Sequence, residues 1–449
     1  MIHKFQYKDT KIVLDVNSGS VHVVDKIIYD ILDWYKKNSD DEILDKLKDK
    51  YPVADLKEAI EELHILEKEG FIYSEDNYSN HPTFINRKPV VKALCLHVAH
   101  DCNIRCKYCF ASQGDFKGNR LLMSEEVGMK ALDLLIEKSG NRRNLEVDFF
   151  GGEPLMNFEV VKNLVEYGRK REKEFNKKFR FTITTNGLLL DDEKMEYINE
   201  HMDNVVLSID GRKDVNDNMR YTINGNGTYD IIVPKFKKFA NIRGNKNYYV
   251  RGTFTRENLN FSKDVLHLAD LGFKQTSVEP VVDSEENDYA IREEDLDIIF
   301  KEYELLADEY VRRTNEGEGF NFFHFMIDLN QGPCVIKRLS GCGAGSEYLA
   351  VTPEGDIYPC HQFVGNDKFK MGDVFTKNVN AELGNVFKNA HVYNKEKCND
   401  CWAKFYCSGG CHANAFNFNN DINVPYDMGC EMEKKRIECA LGIHANLSK

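Results

Sequence analysis

The chain has 449 residues, 42% of them apolar and 11% aromatic, which is enough for two or three buried cores and excludes a disordered polypeptide. A net charge of −13 disfavours a broad phosphate-binding surface, so nucleic acid is not an expected partner. No apolar run reaches membrane-spanning length, and Met1-Ile2-His3-Lys4-Phe5 lacks the apolar stretch of a secretory signal, so a cytoplasmic protein with no membrane attachment is expected.

Thirteen cysteines in such a chain stay reduced, and their clustering points to metal rather than to disulfides. In chain order, alternation and turn residues predict three short strands at 3–7, 11–15 and 20–24. Helical periodicity follows at 25–37, 40–49 and 53–69, the last starting behind Pro52 and stopping at Gly70. A ribbon followed by three helices reads as a winged-helix-like module over 1–80, and polar Ser74 to Asn86 reads as a linker.

Over 93–285 strands alternate with helices, the pattern of parallel βα units wound with one hand. Six strands are expected, at 94–99, 145–150, 181–185, 205–209, 248–255 and 276–281. Six units are too few for the usual eight-stranded barrel, so the expected fold class is α/β with a partial (β/α)6 barrel whose reactive groups lie at the strand C-termini. Residues 290–330 read as helical, with Glu293-Glu294-Asp295 as a solvated acidic face and Leu296, Ile299, Phe300 and Leu305 as the apolar one, giving a bridge over 286–338. From 339 to 449 the chain turns rich in Cys, Gly and Asn with little periodicity, as expected where metal holds the fold.

The chemistry starts just after the first barrel strand, with Cys102, Cys106 and Cys109 in a CxxxCxxC spacing followed by Phe110. Three thiolates leave one iron of a four-iron cluster open to a substrate or cofactor. Zinc prefers four closed ligands, and no partner Cys or His lies in the following loop. The spacing, with Tyr108 before the last cysteine, resembles the signature of the radical S-adenosylmethionine (SAM) enzymes, which implies that methionine chelates the open iron and that Tyr108 lies near the adenine. Gly151-Gly152-Glu153-Pro154, one βα unit later, resembles the motif of that family that binds the methionine amino group; glycines let backbone approach, and Glu153 is an anionic acceptor. Two small polar clusters end the next strands, Thr184-Thr185-Asn186-Gly187 and Ser208-Ile209-Asp210-Gly211. Thr185, Asn186, Ser208 and Asp210 suit ribose or methionine contacts, and residues of these types also cap helices. The resemblance favours a cofactor contact for Ser208. Arg220 is a candidate clamp for the methionine carboxylate or an ordinary surface ion pair. Glu279-Pro280 either approaches adenine through backbone or simply ends the sixth strand.

A second array holds Cys342, Cys360, Cys398, Cys401, Cys407, Cys411 and Cys430. It resembles the SPASM extension of radical SAM enzymes that modify peptides. The resemblance implies two auxiliary [4Fe-4S] clusters, hence three clusters with SAM: Cys398, Cys401, Cys407 and Cys430 as a complete set, and Cys342, Cys360 and Cys411 as a set of three whose fourth position is open to substrate or taken by Cys334. Cys95 and Cys439 are expected to be buried and apolar in role.

Residues 1–80 carry eleven lysines, no arginine and eighteen acidic residues, a net charge of −7 that repels phosphate. The module looks like the precursor-peptide recognition element of ribosomally made peptide pathways, in which a leader adds a strand to the ribbon. In motif order the chain is similar to the maturases of six-cysteine (SCIFF) peptides, which implies thioether crosslinking of a Cys-rich precursor, electrons supplied by a reductant protein such as flavodoxin or ferredoxin, and surplus electrons leaving through the auxiliary clusters. Two other readings compete: a sulfatase-type maturase making formylglycine, which needs no leader module, and a metal-stabilised winged-helix scaffold without enzymatic activity. No general base stands out in the sequence.

Overall fold

The computed structural model describes residues 1–327, 329 and 334–447. The N-terminal ribbon is antiparallel, with β1 (Ile2–Tyr7), β2 (Thr10–Asp15) and β3 (Val21–Val24) in that spatial order, so β3 is an edge strand. Helices α1 (Lys26–Ile31), α2 (Asp40–Leu47) and α3 (Val53–Lys68) follow, α2 opening on a capping box of Ser39 and Glu42. The first helix is shorter than its periodicity suggests and gives way to turns after residue 31. Alternation splits the ribbon between two cores: Val13 packs under α1–α3, while Phe5, Tyr7, Ile12 and Leu14 face the body of the molecule.

The segment from Ser74 to Asn86 is not a free linker. It contains α4 (Pro82–Ile85) and lies against the C-terminal region: the Tyr393 hydroxyl donates to Asp76 at 2.7 Å, Tyr78 packs on Phe405 at 4.9 Å and Phe84 on His391 at 4.9 Å.

The body begins with β4 (Ala93–Ala99), a short β5 (Ile104–Cys106), α5 (Glu125–Lys138), β6 (Asn144–Gly151) and α6 (Phe158–Phe175). Next come β7 (Lys178–Thr185), α7 (Asp192–His201), β8 (Asn204–Ser208), α8 (Lys213–Met219), a short β9 (Arg220–Thr222) and α9 (Tyr229–Arg243). The repeat ends with β10 (Tyr249–Phe254), α10 (Ser262–Asp270), β11 (Gln275–Pro280) and α11 (Leu296–Asn315). All six expected strands are present and pair in parallel as β4-β6-β7-β8-β10-β11. The sheet continues past both ends. β12 (Asn321–Phe322) joins β11 in parallel; on the other side β13 (Tyr348–Val351) pairs in parallel with β4, and β14 (Asp356–Tyr358) and β15 (Gly372–Asp373) add antiparallel. The result is an open ten-stranded sheet. Its outer face, through Leu96, Phe149, Phe181 and Leu207, packs under the helices, and the alternate residues face the inner side, the lumen, where Cys95 and Phe150 pack with Tyr358 and Cys360.

Two expectations for the bridge are corrected. The helix stops at Asn315, ahead of Gly317 with φ of +79°, and 321–322 is strand; residues 328 and 330–333 lie outside the described residues. Its buried face is Ile299, Tyr303, Leu306 and Ala307, whereas Leu305 is exposed and Asp295 is buried, accepting the backbone N–H of Arg292 at 2.9 Å. The C-terminal region is also more regular than its composition suggests. It ends in a 21-residue helix, Asp427–Leu447, that packs along α11 and under the ribbon and carries Cys439 buried, as expected; Cys95 is buried on β4. Among the described residues no helix is long and apolar enough to cross a membrane.

Candidate active site

The C-terminal ends of β4, β6, β7 and β8 converge. The loop after β4 carries the three cysteines, and its path requires small neighbours: a Cβ on Gly151, at φ of +124°, would lie 2.3 Å from the Ala99 carbonyl, and one on Gly152 2.1 Å from that of Asp101. Glycine is therefore demanded by the packing of the β6 end against the cysteine loop.

Glu153 is fully buried. Its Oε1 accepts the Leu155 N–H at 3.0 Å and the Thr185 hydroxyl at 2.8 Å, and its Oε2 accepts the Asn186 N–H at 2.8 Å. Of roughly four lone-pair positions on a carboxylate, three are taken by the chain itself. Glu153 thus ties the ends of β6 and β7 together, and Pro154 starts the turn that follows. Burial raises its pKa, and the three hydrogen bonds oppose that. Asn186 links this knot to the cysteine loop, its Nδ2 donating to Asn103 at 2.8 Å and lying 3.6 Å from Cys102 Sγ.

A contact invisible in the sequence braces the other side. β5 pairs antiparallel with β9, setting Cys106 directly opposite Arg220. Arg220 is buried, not on the surface; its NH1 donates to the Tyr108 hydroxyl at 3.1 Å, and its Nε is shielded from solvent without a partner among the described residues. That hydroxyl donates in turn to Asp210 at 2.7 and 2.8 Å, and Asp210 also accepts the Thr253 N–H at 3.0 Å. Tyr108, Asp210 and Arg220 are one network at the end of β8. Ser208 sits at the same end, half-buried, in register with Arg251 of β10.

Burial pushes the Cys102 thiol up to about 11 and Cys106 to about 12; the charge of Cys109 adds to both, and that of Arg220 opposes it. Thiols in this environment become thiolates when a metal takes them. Among the described residues no three His, Cys, Asp or Glu side chains converge on one point as ligands of a single ion. Three grouped thiols that do not converge suit a multi-iron centre, in which each thiolate takes its own iron. The unpartnered guanidinium Nε and the glycine-lined backbone beside them fit an anionic, amine-bearing ligand.

The seven C-terminal cysteines fall into two groups. Burial raises the Cys360 thiol, with Cys411 and then Cys342 adding to it. Burial also raises Cys407 to about 12 and Cys430 to about 11; Cys398 and Cys401 add to both. Cys334 is exposed at the N-terminus of the short helix Val335–Ser340. The first group shares the lumen with the β4 loop, since His361, next to Cys360, packs 5.6 Å from Phe110 and 5.2 Å from Phe150. Sequence reasoning missed the ion pair inside the lumen, where Arg251 pairs with Glu279 at 3.0 Å and holds that carboxyl, despite its burial, down to about 2. The Glu279 side chain therefore faces Arg251 and does more than end a strand.

Residues 96–260 match the Radical SAM superfamily, and residues 342–402 match SPASM, an iron-sulfur cluster-binding domain; Cys407, Cys411 and Cys430 lie beyond that match. The radical SAM cyclopropyl synthase TigE of Paramaledivibacter caminithermalis is 24% identical over 88% of this chain and 84% of its own length. A cysteine-type anaerobic sulfatase-maturating enzyme of Clostridium novyi is 24% identical over 75% of this chain and 92% of its own. In fold, the chain resembles Streptococcus suis SuiB bound to precursor peptide SuiA, with a TM-score of 0.55 at 18% identity, covering 94% of this chain and 97% of that one. The two matched segments, the cysteine loop and the relatives agree: this chain carries a radical SAM domain followed by a SPASM iron-sulfur cluster-binding domain.

Proposed function

We propose that the chain is a peptide maturase that joins a cysteine sulfur to carbon in a Cys-rich precursor, installing thioether crosslinks. The observation that carries the reading is the grouping of three cysteines, Cys342, Cys360 and Cys411, on the lumen side of the sheet; a four-iron cluster held by these three would keep a coordination position for a substrate thiolate. Cys102, Cys106 and Cys109 would hold the SAM cluster, and Cys398, Cys401, Cys407 and Cys430 a closed one, making three [4Fe-4S] clusters. Arg220 would meet the methionine carboxylate, the backbone of Gly151 and Gly152 its amino group, and Thr185, Asn186 and Ser208 the ribose edge. Tyr108 and Asp210 hold the loop in place. The bound cluster and SAM supply a carbon-centred radical able to take hydrogen from a substrate carbon. The chain itself orients the peptide in the lumen and excludes water and oxygen from it.

The peptide's leader would pair with β3, whose outer edge has no strand partner among the described residues and whose Val23 is 55% exposed. SuiB with its precursor peptide supports this arrangement by likeness of fold. The acidic module favours a leader with basic residues beside apolar anchors. A flavodoxin- or ferredoxin-type protein would supply electrons.

Mass spectrometry of a Cys-rich peptide co-expressed with the enzyme tests the proposal. Thioether formation removes two hydrogens per bridge, and the bridge resists reduction and alkylation. The sulfatase-maturating relative motivates the second reading, conversion of a cysteine to formylglycine; a peptide aldehyde with no crosslink would favour it over ours.

A further inference from the structure

Resting on that reading, we propose that Asp148 is the proton acceptor of the reaction, taking the thiol proton of the substrate cysteine inside the lumen. Asp148 lies on the inner face of β6, in register with Cys95 of β4 and Thr182 of β7. It stands three residues before Gly151, so about 10 Å below the strand end where SAM would bind. Its Oδ1 is shielded from solvent and finds no hydrogen-bond partner among the described residues. The residue as a whole is half-buried.

The surrounding groups are committed elsewhere. Arg251 of β10 pairs with Glu279 of β11, and the Tyr348 hydroxyl of β13 meets His361 at 3.3 Å and the Cys95 thiol. Glu146, two residues back on β6, adds a like charge. Burial holds the Asp148 carboxyl up, from 3.8 to about 7; Arg251 opposes this and Glu146 adds to it. A carboxylate on the inner face of the sheet that lacks an internal partner, with its neutral and anionic forms both accessible near pH 7, has the properties of a general base. It lies near the Cys360 side of the lumen, since Cys360 acts on both Cys95 and Tyr348.

The step balances. The substrate thiol gives its proton to the Asp148 carboxylate and becomes a thiolate. The acceptor carbon would lose one hydrogen atom to the 5′-deoxyadenosyl radical that bound SAM supplies, giving 5′-deoxyadenosine. The thiolate would then bond to that carbon, an oxidised iron-sulfur cluster held by the C-terminal cysteines would accept the one surplus electron, and Asp148 returns its proton to solvent.

The test uses the full-length, cluster-loaded enzyme with a full-length Cys-rich precursor peptide that the wild type crosslinks. Asp148→Asn should slow crosslinking by about 10²–10⁴-fold, raise the ratio of 5′-deoxyadenosine to crosslink, and remove the acidic limb near pH 7 from the rate profile. Asp148→Glu should restore part of the rate and the limb. In the resting enzyme, infrared difference spectra should show a carboxyl band titrating near pH 7 that Asp148→Asn abolishes. Crosslinking by Asp148→Asn within threefold of wild type, an unchanged acidic limb, or a carboxyl titrating below pH 5 would overturn the assignment while leaving the thioether reading intact. If the wild type forms no thioether in any such peptide, the functional reading fails and Asp148 falls with it.

Discussion

Lys395 offers the most quantitative test of the C-terminal centre. It is fully buried, its Nζ donating to the Gly409 carbonyl at 2.7 Å, and among the described residues no carboxylate pairs with it. Burial pulls its pKa down, and the charges of Cys398, Cys407, Cys411 and Cys430 pull it back up. The ammonium therefore stands between the two cysteine groups, and its counter-charge is theirs. At a separation of about 7 Å and an effective dielectric of about 20, one unit charge is worth about 2.4 kcal/mol. For a one-electron couple that energy corresponds to about 100 mV. Lys395→Met keeps the stem and removes the charge, so the C-terminal clusters should become harder to reduce by about that amount. The assay is an EPR-monitored redox titration of anaerobically prepared protein, with iron and sulfide content matched to wild type. Burial shields the charge from salt, so the shift should persist at high ionic strength. A change below about 20 mV, or one toward easier reduction, would refute the reasoning, because a cation among anionic centres can only stabilise their reduced, more negative state.

Three further outcomes are expected. Replacing Cys102, Cys106 and Cys109 together by Ala should abolish 5′-deoxyadenosine formation while the iron bound by the C-terminal cysteines remains; product release by the triple variant would remove them from the site. Val23→Arg on the β3 edge should weaken binding of a basic leader by about tenfold or more in calorimetry, and raised salt should weaken wild-type binding too, as screening of opposite charges requires. Gly442→Val should loosen the ribbon from the C-terminal helix, because even a Cβ there would lie 2.4 Å from Tyr7 Cγ; overpacking of this kind costs about 1–3 kcal/mol and should show as a lower melting temperature and faster proteolysis within residues 1–80.

Much of this structure is legible in the chain itself. The six barrel strands are short runs of mostly apolar and β-branched residues between turn signals, so the sequence places each within a few residues, and the cysteine loop announces itself by spacing. What escaped was long-range and short. β5 and β9 are three residues each, and the pairing of Cys106 with Arg220 spans 114 positions, so no local pattern encodes it. β12 and β13 have two and four residues, too few for periodicity to register, yet they extend the sheet at both ends. The halt of α11 could have been read from Gly317 and Gly319. Asp148 was hidden by its neighbours: Val147-Asp148-Phe149-Phe150 reads as a buried strand, and the one carboxylate in it was the signal.

The docking of the first strand on the last helix also bears on how the protein is made. His3 stacks on Trp402 at 3.7 Å and bonds Glu438 at 2.9 Å, a partner 435 residues away. At a synthesis rate of about 5–20 residues per second the ribosome needs roughly 20–90 s to deliver that helix. Throughout that interval the helix that packs on β1 and β2 is missing, and the apolar face of Phe5, Tyr7, Ile12 and Leu14 lacks that cover. The nascent ribbon thus exposes an apolar face until late in synthesis, and cluster loading around Cys401, the neighbour of Trp402, belongs to the same late stage of assembly as the docking of β1.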